Sequence, residues 1–212
     1  MALSKLAANS FDLTDNYALT GTVTGVVSTQ KLFLIKNIDA SSSGTVSFVN
    51  GASSVVLDNT YKTYLFRFIN MHPATNNVYF SFQCSTDSGS NYNTAVTSTW
   101  GAAFHNENDG STGLEYGTDN DQAQGTSFQY LAQTTGNEND ESCAGELFLF
   151  DPSSTTFAKH FIARLDNYIS NDVQMDSFIA GYFNTTSAID AIQFKMSSGN
   201  IDSGRIALYG IK

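Results

Sequence analysis

Charged residues are scarce in this chain, and most of them have the same sign. Only 14% of the 212 residues are charged, and 20 acids against 10 bases give a net charge of −10. A protein that binds a phosphate backbone needs clustered Lys and Arg, and anionic membranes attract basic segments. The composition therefore argues against a nucleic-acid partner and against docking on an anionic membrane.

Long apolar runs are also missing. No run approaches the ~20 residues of a membrane-spanning helix, and the start of the chain, Met1 to Ser10, is too weakly apolar for a signal peptide. We therefore expect no membrane insertion, and a chain that folds in a cytoplasm before it joins any larger assembly.

Cysteine is rare. The chain has two, Cys84 and Cys143, whereas a scaffold built on disulfides uses more cysteines in a shorter chain. Each lies at the edge of an apolar segment, which favours buried free thiols over a bridge.

Helical periodicity is absent, and strand periodicity takes its place. No stretch keeps apolar residues at i, i+3, i+4 and i+7 over three turns. Short runs instead alternate with period two: Tyr64, Phe66 and Phe68; Val78, Phe80, Phe82 and Cys84; Phe157, Phe161, Ala163 and Leu165; and Ile192, Phe194 and Met196. The segment 31–36 is apolar on both faces, as in a central strand, and both prolines fall between strands.

These patterns predict an all-β fold. Short strands with turn residues between them are typical of an antiparallel sandwich or barrel of about ten or more strands. No linker or internal repeat divides the chain. We expect an extended N-terminal arm at residues 1–16 and one β-sandwich domain at residues 17–212.

Two polar segments, 105–121 and 133–142, are predicted as long loops, which often carry binding or assembly functions. Their acids are candidate calcium ligands, namely Glu107, Asp109, Asp119, Asp121, Glu138, Asp140 and Glu141. Neither segment has the spacing of a calcium loop. The interpretation that we favour is a solvated anionic surface without a metal or a cofactor.

Catalytic motifs are missing as well. We find no nucleophile elbow, zinc motif or phosphate-binding loop. His72, His105 and His160 are interpreted as ordinary surface or interface histidines rather than catalytic bases. A glycoside hydrolase needs two carboxyls on either side of the cleaved bond, but the acids here crowd into loops. We therefore expect no catalytic residues and no enzymatic activity.

Aromatic residues near predicted loops offer another kind of site. Tyr92, Trp100, Tyr116 and Tyr130 present flat rings of the kind that stack on sugars, although most Phe and Tyr are expected to fill the core. Asn184 begins a glycosylation pattern that we interpret as incidental.

Several phrases carry a family resemblance. They are Phe157-Ala-Lys-His-Phe-Ile-Ala163, Gly181-Tyr-Phe-Asn-Thr-Thr-Ser-Ala-Ile189, Ile192-Gln-Phe-Lys-Met-Ser-Ser-Gly-Asn-Ile-Asp202 and Leu208-Tyr-Gly-Ile211. Through them the chain resembles small virion structural proteins of tailed phages of marine bacteria, including cyanophages. The similarity extends through segments 151–156 and 137–142, and it is weaker before about residue 55.

The resemblance implies a jelly-roll (concanavalin-like) sandwich on the outside of a phage particle, with no catalytic residues. It leaves open a capsid decoration or cement subunit and a tail or fibre component. The expected partners are other virion proteins and further copies of the chain. A host glycan is the additional candidate, because sandwiches of this kind often bind sugars.

Overall fold

The structure, a computed structural model, describes residues 31–212. The expected arm at residues 1–16 and the first part of the expected domain, residues 17–30, lie outside the described residues. Within residues 31–212 the chain is all-β, which confirms the predicted class. This part of the chain contains no helix long and apolar enough to cross a membrane.

Twelve strands run through the described residues. They are β1 (Leu32–Ser43), β2 (Val46–Val49), β3 (Thr63–Pro73), β4 (Val78–Ser85), β5 (Val96–Asn106), β6 (Thr112–Tyr116), β7 (Gln129–Thr135), β8 (Cys143–Phe150), β9 (Lys159–Ile169), β10 (Val173–Phe183), β11 (Ala191–Met196) and β12 (Ile201–Ile211). They form one antiparallel sheet that nearly closes on itself.

The strand pairings divide this sheet into a long and a short run. The long run is β1-β12-β3-β8-β9-β10-β5-β6. The short run is β2-β11-β4-β7. The ladder between β7 and β9 consists of the pair Thr135 and Ile169, so the two runs meet there with little direct strand pairing.

The core joins the two runs through aromatic contacts. The ring of Phe194 on β11 lies 5.4 Å from that of Phe66 and 5.2 Å from that of Phe68, both on β3. It also lies 6.0 Å from the ring of Phe80 on β4. Such pairs add about 0.5–1.5 kcal/mol each to the area that they bury. Phe194 therefore links the long run to the short one.

The predicted alternation is confirmed in most strands. Phe80, Phe82 and Cys84 are fully buried, as are Phe66 and Phe194. Their buried positions follow from the two-residue period of a strand, which sends every second side chain to the core.

The face predicted for Phe157 is wrong. Phe157 lies before β9 begins and is 70% exposed. The pleat starts at Lys159, which takes the first inward position and is buried. Its Nζ donates to the carbonyl oxygens of Phe157 at 2.8 Å and Thr185 at 3.0 Å. Burial lowers the pKa of the Lys159 ammonium.

The predicted loop at residues 105–121 is wrong in its middle. Strand β5 continues to Asn106, and β6 pairs back onto it, so the segment is largely a hairpin. Gly113 lies opposite Phe104, and a Cβ at position 113 would approach the ring of Phe104 to 2.7 Å. The glycine thus makes room for an aromatic ring on the neighbouring strand.

Candidate functional site

The candidate functional site is the outward side of the long run, opposite the core, which we call the outer face. Directly opposed residues of an antiparallel pair lie on the same face of a sheet. One row of such residues crosses the outer face from β1 to β5: Leu34, Tyr209, Leu65, Phe148, Ile162, Ala180 and Thr99. We call it the apolar row.

Exposed apolar side chains concentrate on this face. Apart from Phe157, every large apolar residue that is exposed within residues 31–212 lies on it: Leu34, Ile69, Leu114, Tyr116, Ile162 and Phe178. Single exposed apolar residues are ordinary on a protein surface, but a concentration on one side marks an interaction surface.

A second row lies two residues further along the strands. It contains Arg67, Glu146, Arg164, Phe178, Gly101 and Tyr116. The signs of its first three residues alternate, and its last three carry two aromatic rings around a glycine. The row therefore changes from charged to apolar as it passes from β9 to β10.

All arginines of the chain lie on the outer face, and each faces a carboxylate. The guanidinium of Arg164 forks onto Asp176, with Nη2 2.7 Å from Oδ2 and Nε 2.9 Å from Oδ1. Arg205 binds Asp39 in the same way, with Nε 2.6 Å from Oδ1 and Nη2 3.0 Å from Oδ2. The hydrogen bond from Arg205 lowers the pKa of Asp39. These forks hold the long arginine side chains in place.

A groove of about 590 Å³ lies among these charged residues. Its lining includes Arg67, Glu146, Arg164, Asp166 and Asp176. Because the arginines already face carboxylates, the groove presents both signs of charge. It suits a polar partner of mixed charge better than an anion.

Two further grooves lie side by side towards β5 and β10. The upper groove, about 410 Å³, includes Thr97, Thr99, Phe150, His160, Ile162, Ala180 and Tyr182 in its lining. The lower groove, about 390 Å³, is lined by Thr99, Trp100, Gly101, Leu114, Glu115, Tyr116 and Phe178. Thr99 lines both grooves, so they lie next to each other.

The three histidines lie on different strands. His72 on β3 has its Nε2 3.1 Å from the carbonyl oxygen of Glu138 and its Nδ1 3.7 Å from Asp202. The Nε2 atom of His105 on β5 lies 3.0 Å from Oδ1 of Asp109. The ring of His160 on β9 lies 6.0 Å from that of Tyr182, at the upper groove. The structure thus brings His160 to the upper groove, whereas His105, which opposes Gln174, lies elsewhere on the outer face.

The acids weighed as calcium ligands are dispersed. Within residues 31–212 no group of three or more His, Cys, Asp or Glu side chains is placed to hold a metal ion. Asp121 accepts a hydrogen bond from the hydroxyl of Tyr116 at 2.5 Å. Glu141 is buried and accepts from the backbone N–H of Glu138 at 2.6 Å. Both carboxylates have local structural partners.

Of the aromatics proposed from sequence, Tyr116 lies on the outer face. Trp100 is fully buried beneath the lower groove. Tyr130 stacks on Tyr79 with ring centroids 4.4 Å apart. The amide of Asn184 donates to Gln124 Oε1 at 2.6 Å.

Phe178 and Tyr182 were missed as site residues. The signal that could have found them is the strict alternation in β10, where residues 174, 176, 178, 180 and 182 point away from the core.

The comparisons with known proteins bring no identification. Neither a protein-family model, nor a curated protein, nor a solved structure matches this chain. The interpretation of the outer face therefore depends on its own geometry and chemistry.

Proposed function

We propose that this chain is a non-enzymatic structural protein of a tailed-phage virion, exposed on the particle surface as a capsid decoration or cement subunit. The observation that carries the proposal is the concentration of exposed apolar residues on the outer face. Proteins held in an assembly by their surfaces need such a patch. The kind of assembly is proposed from the resemblance of several sequence phrases to phage virion proteins.

The apolar row supports a contact with a neighbouring protein. Leu34 and Ile162 are each about half exposed, at 52% and 51%. Apolar area removed from water stabilises an interface by roughly 25 cal/mol per Å². The alternating charges of Arg67, Glu146 and Arg164 lie beside this row and would fix the orientation of the partner. The proposed partners are other virion proteins and further copies of the chain.

The finer architecture that we propose is a jelly-roll sandwich. Its layers would be the long run and the short run, with the aromatic cluster around Phe194 between them. The support is the single residue pair, Thr135 with Ile169, by which β7 meets β9. In a sandwich, inner faces pack about 10 Å apart with few hydrogen bonds between the layers.

The proposal of a non-enzymatic role is supported by charged groups that are engaged in structural contacts. Asp39 and Asp176 hold arginines, and buried Lys159 is bound by backbone carbonyls. A general base or nucleophile is instead held within reach of a substrate in a cleft. The proposed location is the virion, after assembly in the host cytoplasm.

The test is particle labelling combined with a rebinding assay. Gold-labelled antibody against the chain should decorate the capsid of the phage that encodes it. Purified wild-type chain should rebind particles that lack it. The variant Leu34→Asp should rebind at least about tenfold more weakly, because a charge would replace a buried contact. Phe157→Asp is the matched control, since Phe157 is exposed but lies off the outer face, and it should rebind normally.

Two results would contradict the proposal at different levels. Label found solely along the tail would overturn the decoration role, and particles without the chain would overturn the virion role. Normal rebinding by Leu34→Asp would show that the outer face is not the surface that contacts the particle.

The second candidate function is a tail or fibre component that binds carbohydrate. The observation that favours it is the upper groove, where aromatic rings adjoin neutral hydrogen-bonding groups. This composition is common in sites for uncharged polar ligands, which stack on rings and bond to a small number of placed polar groups.

A further inference from the structure

We infer that the upper and lower grooves together bind a neutral oligosaccharide along strands β5 and β10. The inference rests on the second candidate function and supplies its site and ligand class. We call the site the saccharide track: its floor is Thr97, Thr99 and Ala180, and its rings are Phe150, His160, Tyr182, Phe178 and Tyr116.

The shape of the track fits an extended ligand. Thr99 lines both grooves, so the two grooves are neighbours on the outer face. From Tyr182 to Phe178 the track follows β10 for four residues, or about 14 Å at ~3.4 Å per residue. A chain of several sugar rings can lie along such a path, whereas a compact metabolite would fill one groove and leave the other empty.

The floor of the track is made of small residues. Ala180 and Thr99 are directly opposed on β10 and β5. Tyr182 and Phe178 lie two residues to either side of Ala180 on β10, so their rings stand at the two ends of this floor, and the ring of Phe178 covers Gly101. A ligand that lies over Ala180 and Thr99 can therefore contact the floor and a ring at each end.

The chemistry of the upper groove selects an uncharged ligand. Among the described residues that line it, none is Asp, Glu, Lys or Arg, although the chain as a whole carries a net charge of −10. A charged ligand would enter without an ionic partner, which is costly. Hydroxyl groups of a sugar instead need neutral donors and acceptors, and its C–H faces need apolar rings.

Neutral hydrogen-bonding groups continue at the Thr97 end. The side chain of Gln124 donates to Thr97 Oγ1 at 2.6 Å, and that of Asn184 donates to Gln124 Oε1 at 2.6 Å. These amides have further donor and acceptor capacity. The chain Asn184, Gln124 and Thr97 therefore supplies a fixed polar edge beside the aromatic wall.

The rings of the lower groove are held in place before any ligand binds. Phe178 packs over Gly101. The hydroxyl of Tyr116 donates to Asp121 at 2.5 Å, which fixes the ring while leaving the side chain 54% exposed. Binding then orders few side chains, which lowers its entropic cost. Glu115 and Asp121 at this end would repel anionic sugars.

A neighbouring protein is the competing occupant of the same surface. Arg67 and Arg164, which would fix a charged protein partner, lie on β3 and β9 and line neither the upper nor the lower groove. The track itself lacks such anchors, and its mixture of small floor, rings and neutral amides matches a sugar better.

The experiment uses the full chain and defined sugars. A glycan array with neutral and acidic oligosaccharides is followed by titration with maltohexaose, fully N-acetylated chitohexaose and mannohexaose at up to millimolar concentration. Trp100 is the single tryptophan and lines the lower groove from beneath, so its fluorescence reports occupancy. We expect binding of at least one neutral oligosaccharide, about tenfold weaker in Tyr182→Ala and in Tyr116→Ala.

Three variants make the result interpretable. Tyr182→Phe keeps the ring and should retain most of the affinity that Tyr182→Ala loses. Phe157→Ala removes an exposed ring outside the track and should bind as the wild type does. Leu34→Asp, which tests the assembly contact, should also bind normally. Circular dichroism and urea unfolding of each variant would separate a lost site from a lost fold.

The outcomes that overturn the inference are distinct from those that overturn the virion role. The saccharide track would be rejected if no neutral sugar bound on the array or in titration, or if binding were confined to acidic sugars. Equal loss in Phe157→Ala would show that binding is not at these grooves. Absence of the chain from the particle would reject the structural role and leave a measured sugar affinity standing.

Discussion

The ring of Phe178 fills the space above Gly101 that the Cβ of any other residue would need. The two residues are directly opposed on β10 and β5. Glycine is normally unfavourable within a strand because it adds no packing and loses more conformational entropy. Here the missing side chain of Gly101 leaves room for the ring of Phe178 on the outer face, between the two strands that carry the proposed track.

The first prediction tests the packing of Phe178 over Gly101 with a double-mutant cycle. Gly101→Ala should destabilise the wild-type protein by about 0.5–1.5 kcal/mol, because the new methyl group would push the partly exposed ring of Phe178 from its preferred position. In a Phe178→Ala background the same change should cost less than about 0.5 kcal/mol. Urea unfolding of the four proteins measures both values. Equal costs in the two backgrounds would show that the ring does not occupy this space.

The second prediction concerns the ring that joins the two runs of strands. Phe194→Ala should lower the free energy of unfolding by about 3–5 kcal/mol, since it removes a fully buried ring with five aromatic neighbours. Phe157→Ala, which truncates a ring that is 70% exposed, should change it by about 0.5 kcal/mol or less. Urea titration followed by Trp100 fluorescence compares the two. Similar losses would contradict the assigned core.

The third prediction is a pH dependence at the turn after β4. Hydrogen bonds from Asn91 and Ser85 lower the pKa of Asp87 from 3.8 to about 2. A carboxyl with a depressed pKa in the folded state stabilises the fold above its unfolded pKa, and this stabilisation is lost as the pH falls. Asp87→Asn should therefore melt at a lower temperature than wild type at pH 7.

The gap in melting temperature between Asp87→Asn and wild type should narrow as the pH falls from about 4 to about 2. Thermal unfolding at several pH values measures it. A gap that stays constant down to pH 2 would show that the carboxylate charge contributes nothing to the turn.

The fourth prediction concerns the two thiols. Cys84 and Cys143 are unbridged and buried, as expected from the sequence. Burial raises the pKa of Cys143 to about 12 and that of Cys84 well above its usual value. Because the thiolate is the reactive form, the folded protein should react negligibly with an aromatic disulfide reagent at pH 8. Both thiols should react at once in guanidinium chloride. Rapid labelling of the folded chain would contradict their burial.

Strand content was predictable from local pattern. The alternation of Phe80, Phe82 and Cys84 holds because a strand has a two-residue period whatever it pairs with. The same reasoning is wrong for Phe157, because strand β9 begins only at Lys159. A period of two gives the face of a residue within a strand, but it does not give the residue at which the strand begins.

The place of a strand in the sheet was not predictable. Residues 31–36 were expected in a central strand because they are apolar on both faces. Among the described residues β1 pairs with β12 and lies at one end of the strand order. The two-sided pattern reflects a bulge between Leu34 and Lys36, which shifts the register and lets Ile35 pack against the core.

The candidate site depended almost wholly on long-range pairing. Of the four aromatics chosen from sequence, Tyr116 lies on the outer face, whereas Trp100 is buried. Phe178 and Tyr182 were not recognised, because their neighbours in the site come from β5, β8 and β9. Sequence separation between those strands conceals that their residues share one surface.

The sequence by itself determined the all-β class, the alternation of buried side chains and the lack of a recognisable catalytic motif. These follow from residue type and from a period of two, which are local properties. Tertiary structure alone decided that the exposed large apolar residues other than Phe157 share one face with all the arginines, and that the ring of Phe178 packs over Gly101. The reason is register: pairing between distant strands fixes which side chains meet, and no local pattern encodes it.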